Sequence, residues 1–360
     1  MSSRRKIGLA LILVFGALLI YLLAWPVGIE PVAFVPPEAP PLTGVYEPNN
    51  RLTGVERFAE GAGFGPENVA FDAEGRIYAG VEGGAIVRLD ADGTNPERFA
   101  TTPGRPLGME FDAEGNLIVA DSPAGLLSVA PDGSVTVLTD EAAGKPILFA
   151  DDLDVSSDGT IYFSDGSVYP IDFDDPLLPF FDGRPHGRLL AYEPETRTTK
   201  VLLDGLHFAN GVALSPDEAF VLVTETWGYR ISRYWLSGPK KGQTDLFFEN
   251  LPAKPDNISF NGRDTYWLAL FEPRVPEQER LQANPFMRKL LMRLPRFMIP
   301  QSGYGRYGFV LGLDLDGRVV HNLQDPEGEH VFQVTSVEER DGMLYLGTLA
   351  DDAIKRIPVP

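Results

Sequence analysis

Glu67, Asp151, Asn210 and Asp256 are the residues of this chain best suited to chemistry, because each stands eight positions before the turn of a repeated hairpin. Those turns fall at Gly75, Gly159, Glu218 and Asp264; two further copies turn at Gly115 and Gly342, where the equivalent positions are Leu107 and Val334. In a radial repeat, equivalent positions lie on one ring around the axis, so three carboxylates and one carboxamide should converge. Such a set repels itself unless it is protonated or holds a cation. Calcium suits it, accepting about six to eight oxygens in loose geometry; magnesium demands a tighter octahedron, and zinc prefers nitrogen or sulfur. Two plainer readings stay open: the ring only hydrates a channel, or calcium is a structural pin with no chemistry.

The elements that must position these side chains repeat along the sequence. NVAFDAEGRIYAG at Asn68 is answered by GMEFDAEGNLIVAD at Gly108, DLDVSSDGTIYFSD at Asp152, GVALSPDEAFVLVTE at Gly211, NISFNGRDTYWLAL at Asn257 and TSVEERDGMLYLGT at Thr335. Each is an apolar run, a tight turn rich in Asp and Gly, and a second apolar run, which is the signature of a β-hairpin. Third and fourth strands follow most of them, as in AIVRLDADG then ERFA. Six four-stranded units predict an all-β chain folded as a six-bladed β-propeller. The last unit is one strand short, and GVERFA at 54–59 is placed to supply it. A β-sandwich would explain neither the repeated hairpin nor the missing strand.

Composition narrows the function. The 31 basic and 51 acidic residues leave a net charge of −20, which argues against a nucleic-acid partner. No cysteine is present, so disulfides, thiolate metal sites and cysteine nucleophiles are excluded together. The four histidines, His186, His207, His321 and His330, are not spaced as a zinc motif.

Residues 7–25 form an uncharged apolar run after Arg4, Arg5 and Lys6, long enough to cross a bilayer as a helix. The basic flank keeps residues 1–6 cytoplasmic and predicts an uncleaved signal anchor, because the exit LLAWPVG lacks a cleavage pattern. Residues 26–51 read as a proline-rich extended linker, and 52–360 as the propeller, lying on the exported side. The periplasmic face of a bacterial inner membrane is preferred; the same topology would face the ER lumen in a eukaryote. Two insertions interrupt the period, at 169–187 and 272–308. The second contains NPFMRKLLMRLPRFM, a short basic amphipathic helix expected as a lid, a membrane contact or an ordinary packed helix.

GPENVAFD, GRPLGMEFD, ADDLDVSSDGTIYFSD, GRLLAYEPET, LHFANGVALSPDE, RYWLSGPKKG, PDNI and ERDGMLYLGT occur in that order over nearly all of 52–360. Together they resemble the strictosidine synthase-like family, within the superfamily that includes gluconolactonase and paraoxonase. The resemblance implies a six-bladed propeller with a channel calcium held by Glu67, Asn210 and Asp256, with Asn257 a further ligand. It usually has Asn where this chain has Asp151, so one negative charge is added. The catalytic glutamate of the alkaloid-forming enzymes falls at Thr335, which argues against a Pictet–Spengler condensation. The paraoxonase histidine proposed as base falls at Leu107. Arg105 matches an arginine that contacts substrate in gluconolactonase-like members.

These residues imply a membrane-anchored, calcium-dependent hydrolase of lactones or aryl esters. Calcium would polarise the carbonyl, and Asp256 or Asp151 would serve as general base. Arg105, Leu107, His207 and Thr335 are expected on the side of the small-molecule substrate. The competing class is a non-catalytic tethered propeller that binds a ligand, with calcium structural. Glu338 and Glu339 are expected in a turn facing solvent, Asp154 at an outward or interblade position and Asp158 in a turn; the role of Asp152 is left open.

Overall fold

The computed structural model describes residues 3–170, 177–299 and 305–360. They fall into two compact units: a propeller unit (36–174, 185–274 and 304–360) and a helical unit (1–35, 175–184 and 275–303).

The propeller unit holds six four-stranded antiparallel sheets. Blades 1 to 6 begin with inner strands Val69–Phe71, Arg105–Phe111, Ala150–Val155, Ala209–Leu214, Ala253–Phe260 and Val334–Arg340. Each inner strand lies against that of the next blade, and the sixth meets the first, so the ring is closed. The missing strand of blade 6 is Glu56–Glu60, which pairs with Ala353–Pro358, as the sequence predicts. Hairpin turns bring the chain back with positive φ at Gly75, Gly115, Gly159 and Gly342; blade 4 uses Glu218 at φ 53°. Glu218 compensates for that uncommon conformation by accepting from Ser157 N at 2.7 Å and Ser157 Oγ at 3.0 Å.

The core sits between blades. Ile118, Ala120 and Leu126 of blade 2 pack on Leu153, Ile161, Phe163 and Leu190 of blade 3, and the other interfaces repeat the scheme. Alternate residues of each strand are therefore apolar on both faces, which is why the hairpins read as nearly continuous apolar runs.

One departure from regular pairing recurs. The ladder between first and second strands is interrupted at Pro106/Met109, Ala150/Leu153, Ala209/Val212, Pro255/Ile258 and Val334/Val337. Four of these five bulges fall on the ring positions Leu107, Asp151, Asn210 and Asp256, and the fifth releases Thr335 and Ser336, just after Val334. A bulge releases two consecutive residues from the pleat and re-aims them. It explains how Asp151 and Asp152, or Asp256 and Asn257, can stand side by side at the start of a strand and serve different neighbours.

Residues 36–51 hold no strand and one whole 3-10 turn, Gly44–Tyr46, and they carry contacts rather than acting as a free spacer. Pro37 O accepts from Arg274 at 2.5 Å, and Tyr46 O from Gln324 at 3.1 Å.

In the helical unit, α1 (Ser3–Ala24) is exposed along its length and is long and apolar enough to cross a membrane, with a mean hydropathy of 2.8. The first insertion contributes α2 (Leu177–Asp182); the second contributes α3 (Pro276–Gln282), α4 (Pro285–Leu291) and a 3-10 turn at Arg296–Met298. Asn284 caps α4, accepting from Met287 N at 3.1 Å. Two arginines of the basic stretch expected here turn inward. Arg288 is fully buried and donates to the carbonyls of Val32, Asp182 and Gln282. Arg293 donates to Trp25 O at 2.7 Å and Leu22 O at 3.1 Å, carbonyls at the C-terminal end of α1.

Candidate metal centre in the channel

Ring residues Glu67, Asp151, Asn210 and Asp256 come from the starts of blades 1, 3, 4 and 5, and all are at least nine-tenths buried. Asn257, released by the blade 5 bulge, joins them: its amide donates to Glu67 Oε1 at 3.1 Å. The Asn210 amide hydrogen-bonds the Asp256 carboxylate. Four oxygens are then left buried with no hydrogen-bond partner: Glu67 Oε2, Asp151 Oδ2, Asn210 Oδ1 and Asn257 Oδ1. They come from four different blades, and all are acceptors. A buried acceptor without a donor costs roughly 1–3 kcal/mol, more if charged. Four of them together fit a hard, oxygen-seeking cation such as calcium. Among the described residues, no three His, Cys, Asp or Glu side chains alone gather tightly enough to hold a metal, so the two amides are needed in the donor set.

The protein electrostatics carry the same message. Burial pushes the Glu67 carboxyl up to about 7, with the Arg105 charge and the Asn257 amide pulling the other way. Asp151 is raised well above the usual carboxylate range by burial and then by Glu67, Asp256, Asp152 and Asp165. Asp256 is raised by burial and by Glu67, and is partly relieved by Asn210. Each group is held in a place where its own anion is unwelcome unless a positive charge joins it.

Glu67 is the most firmly fixed of the set. Its carbonyl accepts from Thr335 Oγ1 at 2.7 Å and Ser336 Oγ at 2.8 Å. Gly347 lets this approach happen, since a Cβ there would lie 2.1 Å from Glu67 O. Between blades 2 and 3, a Cβ on Gly108 would likewise meet Asp152 Cα at 2.6 Å.

The remaining expected site residues divide. Arg105 is buried and lies within electrostatic reach of Glu67, and its Nη2 donates to Gly65 O. Leu107 and Val334 complete the ring as buried apolar groups on either side of blade 1. The Thr335 hydroxyl donates to the Glu67 carbonyl and so supports Glu67 from blade 6. His207 is half-buried beside Glu225 and Arg230, and burial holds its imidazole below the ordinary value. Asp152 accepts from Val212 N at 2.9 Å and Asp154 from Leu214 N at 2.7 Å, so both tie blade 3 to blade 4. Asp158 accepts from Thr160 N at 3.0 Å within its turn.

Glu338 and Glu339 correct the expectation of a solvent-facing turn, because the blade 6 inner strand runs on to Arg340. Glu339 accepts from Trp267 Nε1 at 2.7 Å and Asn261 Nδ2 at 3.0 Å. Glu338 lines a cavity of about 580 Å³ at the hairpin-turn end of the channel, together with Glu110, Asp154, Ser259 and Phe260. Burial raises Glu338 to about 8, Asp154 to about 6 and Glu110 well above the usual range; Glu110 and Asp154 hydrogen-bond each other. This second acidic level was missed in the sequence. A column three residues past the ring reads Ala70, Glu110, Asp154, Ala213, Ser259 and Val337, and its two acids were the available signal.

Residues 151–239 match the family model for strictosidine synthase, and 44–89 the model for the strictosidine synthase-like N-terminal region. Protein STRICTOSIDINE SYNTHASE-LIKE 13 of Arabidopsis thaliana is 36% identical over 329 residues, 82% of this chain and 78% of that protein. Adipocyte plasma membrane-associated protein of Bos taurus is 37% identical over 353 residues, 92% and 84% of the two chains. Among solved structures, a gluconolactonase of Xanthomonas campestris superposes with a TM-score of 0.60 at 18% identity, covering 84% of this chain and 89% of that one. A calcium-binding regucalcin of Agrobacterium tumefaciens gives 0.52 at 13% identity, covering 81% and 88%. At those identities the structural likeness establishes the shared fold.

Proposed function

The chain belongs to the strictosidine synthase-like family, and on that premise we propose that it is a calcium-dependent hydrolase of lactones or esters, tethered to a membrane by α1. The observation that carries the reading is the set of four unpartnered buried oxygens contributed by four blades. The same fold is found in a gluconolactonase and in a calcium-binding regucalcin.

Glu67, Asp151, Asn210 and Asn257 would hold the cation, with Asp256 beside them. When bound, calcium supplies Lewis-acid polarisation of an ester or lactone carbonyl. Asp256 is the candidate general base: its carboxylate is tied by the Asn210 amide, and its burial favours taking up a proton from an attacking water. Arg105, held against the Gly65 carbonyl, brings positive charge to the Glu67 side of the ring and would orient an anionic substrate group. Leu107 and Val334 exclude water on either flank of Glu67. A condensation of the alkaloid-forming type is disfavoured, because Thr335 offers no carboxyl and its hydroxyl is already engaged.

The test is turnover of aryl esters and lactones by the purified full chain in detergent. Activity that disappears on chelation, returns with calcium and is absent from Asp256→Ala is the expected result. A folded, calcium-binding chain inert across a broad ester and lactone panel would overturn the enzyme and leave a ligand-binding propeller.

A further inference from the structure

Within the helical unit, the end of α1 and the second insertion are joined directly. Arg293 bonds the carbonyls of Leu22 and Trp25, where the apolar run of α1 stops, and Trp25 is 60% exposed there. An exposed Trp at the end of an apolar span marks the level of a membrane–water interface. Phe297 is four residues from Arg293, so its backbone lies no more than about 14 Å from that level.

The segment shows an unusual surface. Phe297 is 88% exposed, Met298 55%, Phe286 54% and Met287 37%. Two of its arginines are turned away from solvent, Arg288 and Arg293 being engaged by backbone carbonyls, while the half-buried Lys289 lies 3.3 Å from the exposed Glu30. A peripheral helix that holds a surface by charge shows the reverse, with basic groups outward. Here apolar side chains face out while guanidinium groups form internal struts.

We propose that residues 284–298 lie on the bilayer beside α1, with Phe286, Met287, Phe297 and Met298 entering the interfacial layer of the leaflet where α1 ends. This rests on the reading that α1 spans a membrane. The occupant is fixed by continuity: the exposed apolar cluster is bonded to the terminus of the spanning helix, whose own apolar surface is exposed throughout. The contact is apolar rather than charge-driven, so it does not require anionic lipid.

The absence of cysteine makes the test clean, since single-cysteine spin labels can be placed without background. Labels at Phe286→Cys and Phe297→Cys in the full chain, reconstituted in phosphatidylcholine vesicles, are compared with Leu315→Cys in the propeller unit and Phe15→Cys within α1. Oxygen and a water-soluble nickel chelate report depth by power saturation. At 286 and 297, an oxygen-to-nickel accessibility ratio several-fold above that at 315 is expected, unchanged when part of the lipid is replaced by phosphatidylglycerol. Ratios at 286 and 297 equal to that at 315, with Phe15 reading as lipid-buried, would overturn the surface contact and leave the anchor standing. Shielding from both reagents would place a protein partner on the patch and overturn it too. An aqueous reading at Phe15 would remove the spanning helix and the proposal with it.

Discussion

The Asn257 amide donates to Glu67 Oε1 at 3.1 Å, joining blade 5 to blade 1 while Glu67 Oε2 and Asn257 Oδ1 stay without a donor. One bond thus orients two acceptors and satisfies neither. A protein that needed only a stable channel could have matched these atoms with donors.

Asp151→Asn is the first substitution to measure. It keeps an oxygen on the ring and removes one charge, so calcium affinity by titration calorimetry should fall by about tenfold or more, on the order of 1.4 kcal/mol. Unchanged affinity would remove Asp151 from the donor set.

The support behind Glu67 should be separable from the ring. Gly347→Ala places a Cβ 2.1 Å from Glu67 O and 2.4 Å from Ser336 Oγ, and should cost roughly 1–3 kcal/mol of stability as an overpacked site. Thr335→Val removes one donor and should cost about 1 kcal/mol while weakening calcium binding. Denaturant titration and calorimetry on the same samples check both. A Thr335→Val chain with normal calcium affinity would limit its role to stability.

The turn end of the channel should make stability depend on pH. Glu338 is raised from 4.5 to about 8 in the folded chain, so the fold binds the extra proton more tightly than the unfolded chain. Its contribution is therefore fully present below about 4.5 and is lost as pH rises through about 8. With calcium saturating, melting temperature should fall from pH 5 to pH 8.5, and Glu338→Gln should flatten that fall. A Glu338→Gln profile parallel to the wild type would count against it.

Lys254 and Glu272 form an ion pair in which each side chain is 1% exposed, with Lys254 Nζ 4.7 Å from the centre of the Trp227 ring. Lys254→Met removes the lysine partner of a buried carboxylate, to which Gly305 N still donates at 3.0 Å, and should cost about 3–5 kcal/mol in a denaturant titration. The double change with Glu272→Leu should recover much of that loss. An additive double mutant would show that the pair is not coupled.

The sequence revealed those features that repeat. The turn spacing set both the blade number and the ring, because a fixed period carries Glu67, Asp151, Asn210 and Asp256 to one level whatever lies between blades. The closing strand Glu56–Glu60 was legible because one strand was missing from the last unit. The bulges were not, since a two-residue release leaves no mark beyond paired polar residues such as Asp151 and Asp152. Glu338 and Glu339 were misplaced because the blade 6 hairpin turns within Asp341 and Gly342, so that its inner strand runs on to Arg340. The inward path of Arg288 and Arg293 was hidden as well, because their acceptors are main-chain carbonyls, which carry no side-chain signature.

The pairing of Glu56–Glu60 with Ala353–Pro358 also orders events during synthesis. The ribosome makes the first of these strands before any blade and the second after nearly all of them. Until Ala353–Pro358 emerges, the early strand waits with an unpaired edge, the kind of edge that invites wrong partners. The blades can form as they are made, but the ring cannot shut. A translation product that stops before Ala353 would keep two open edges, so making the strand Ala353–Pro358 and sealing the ring are the same event.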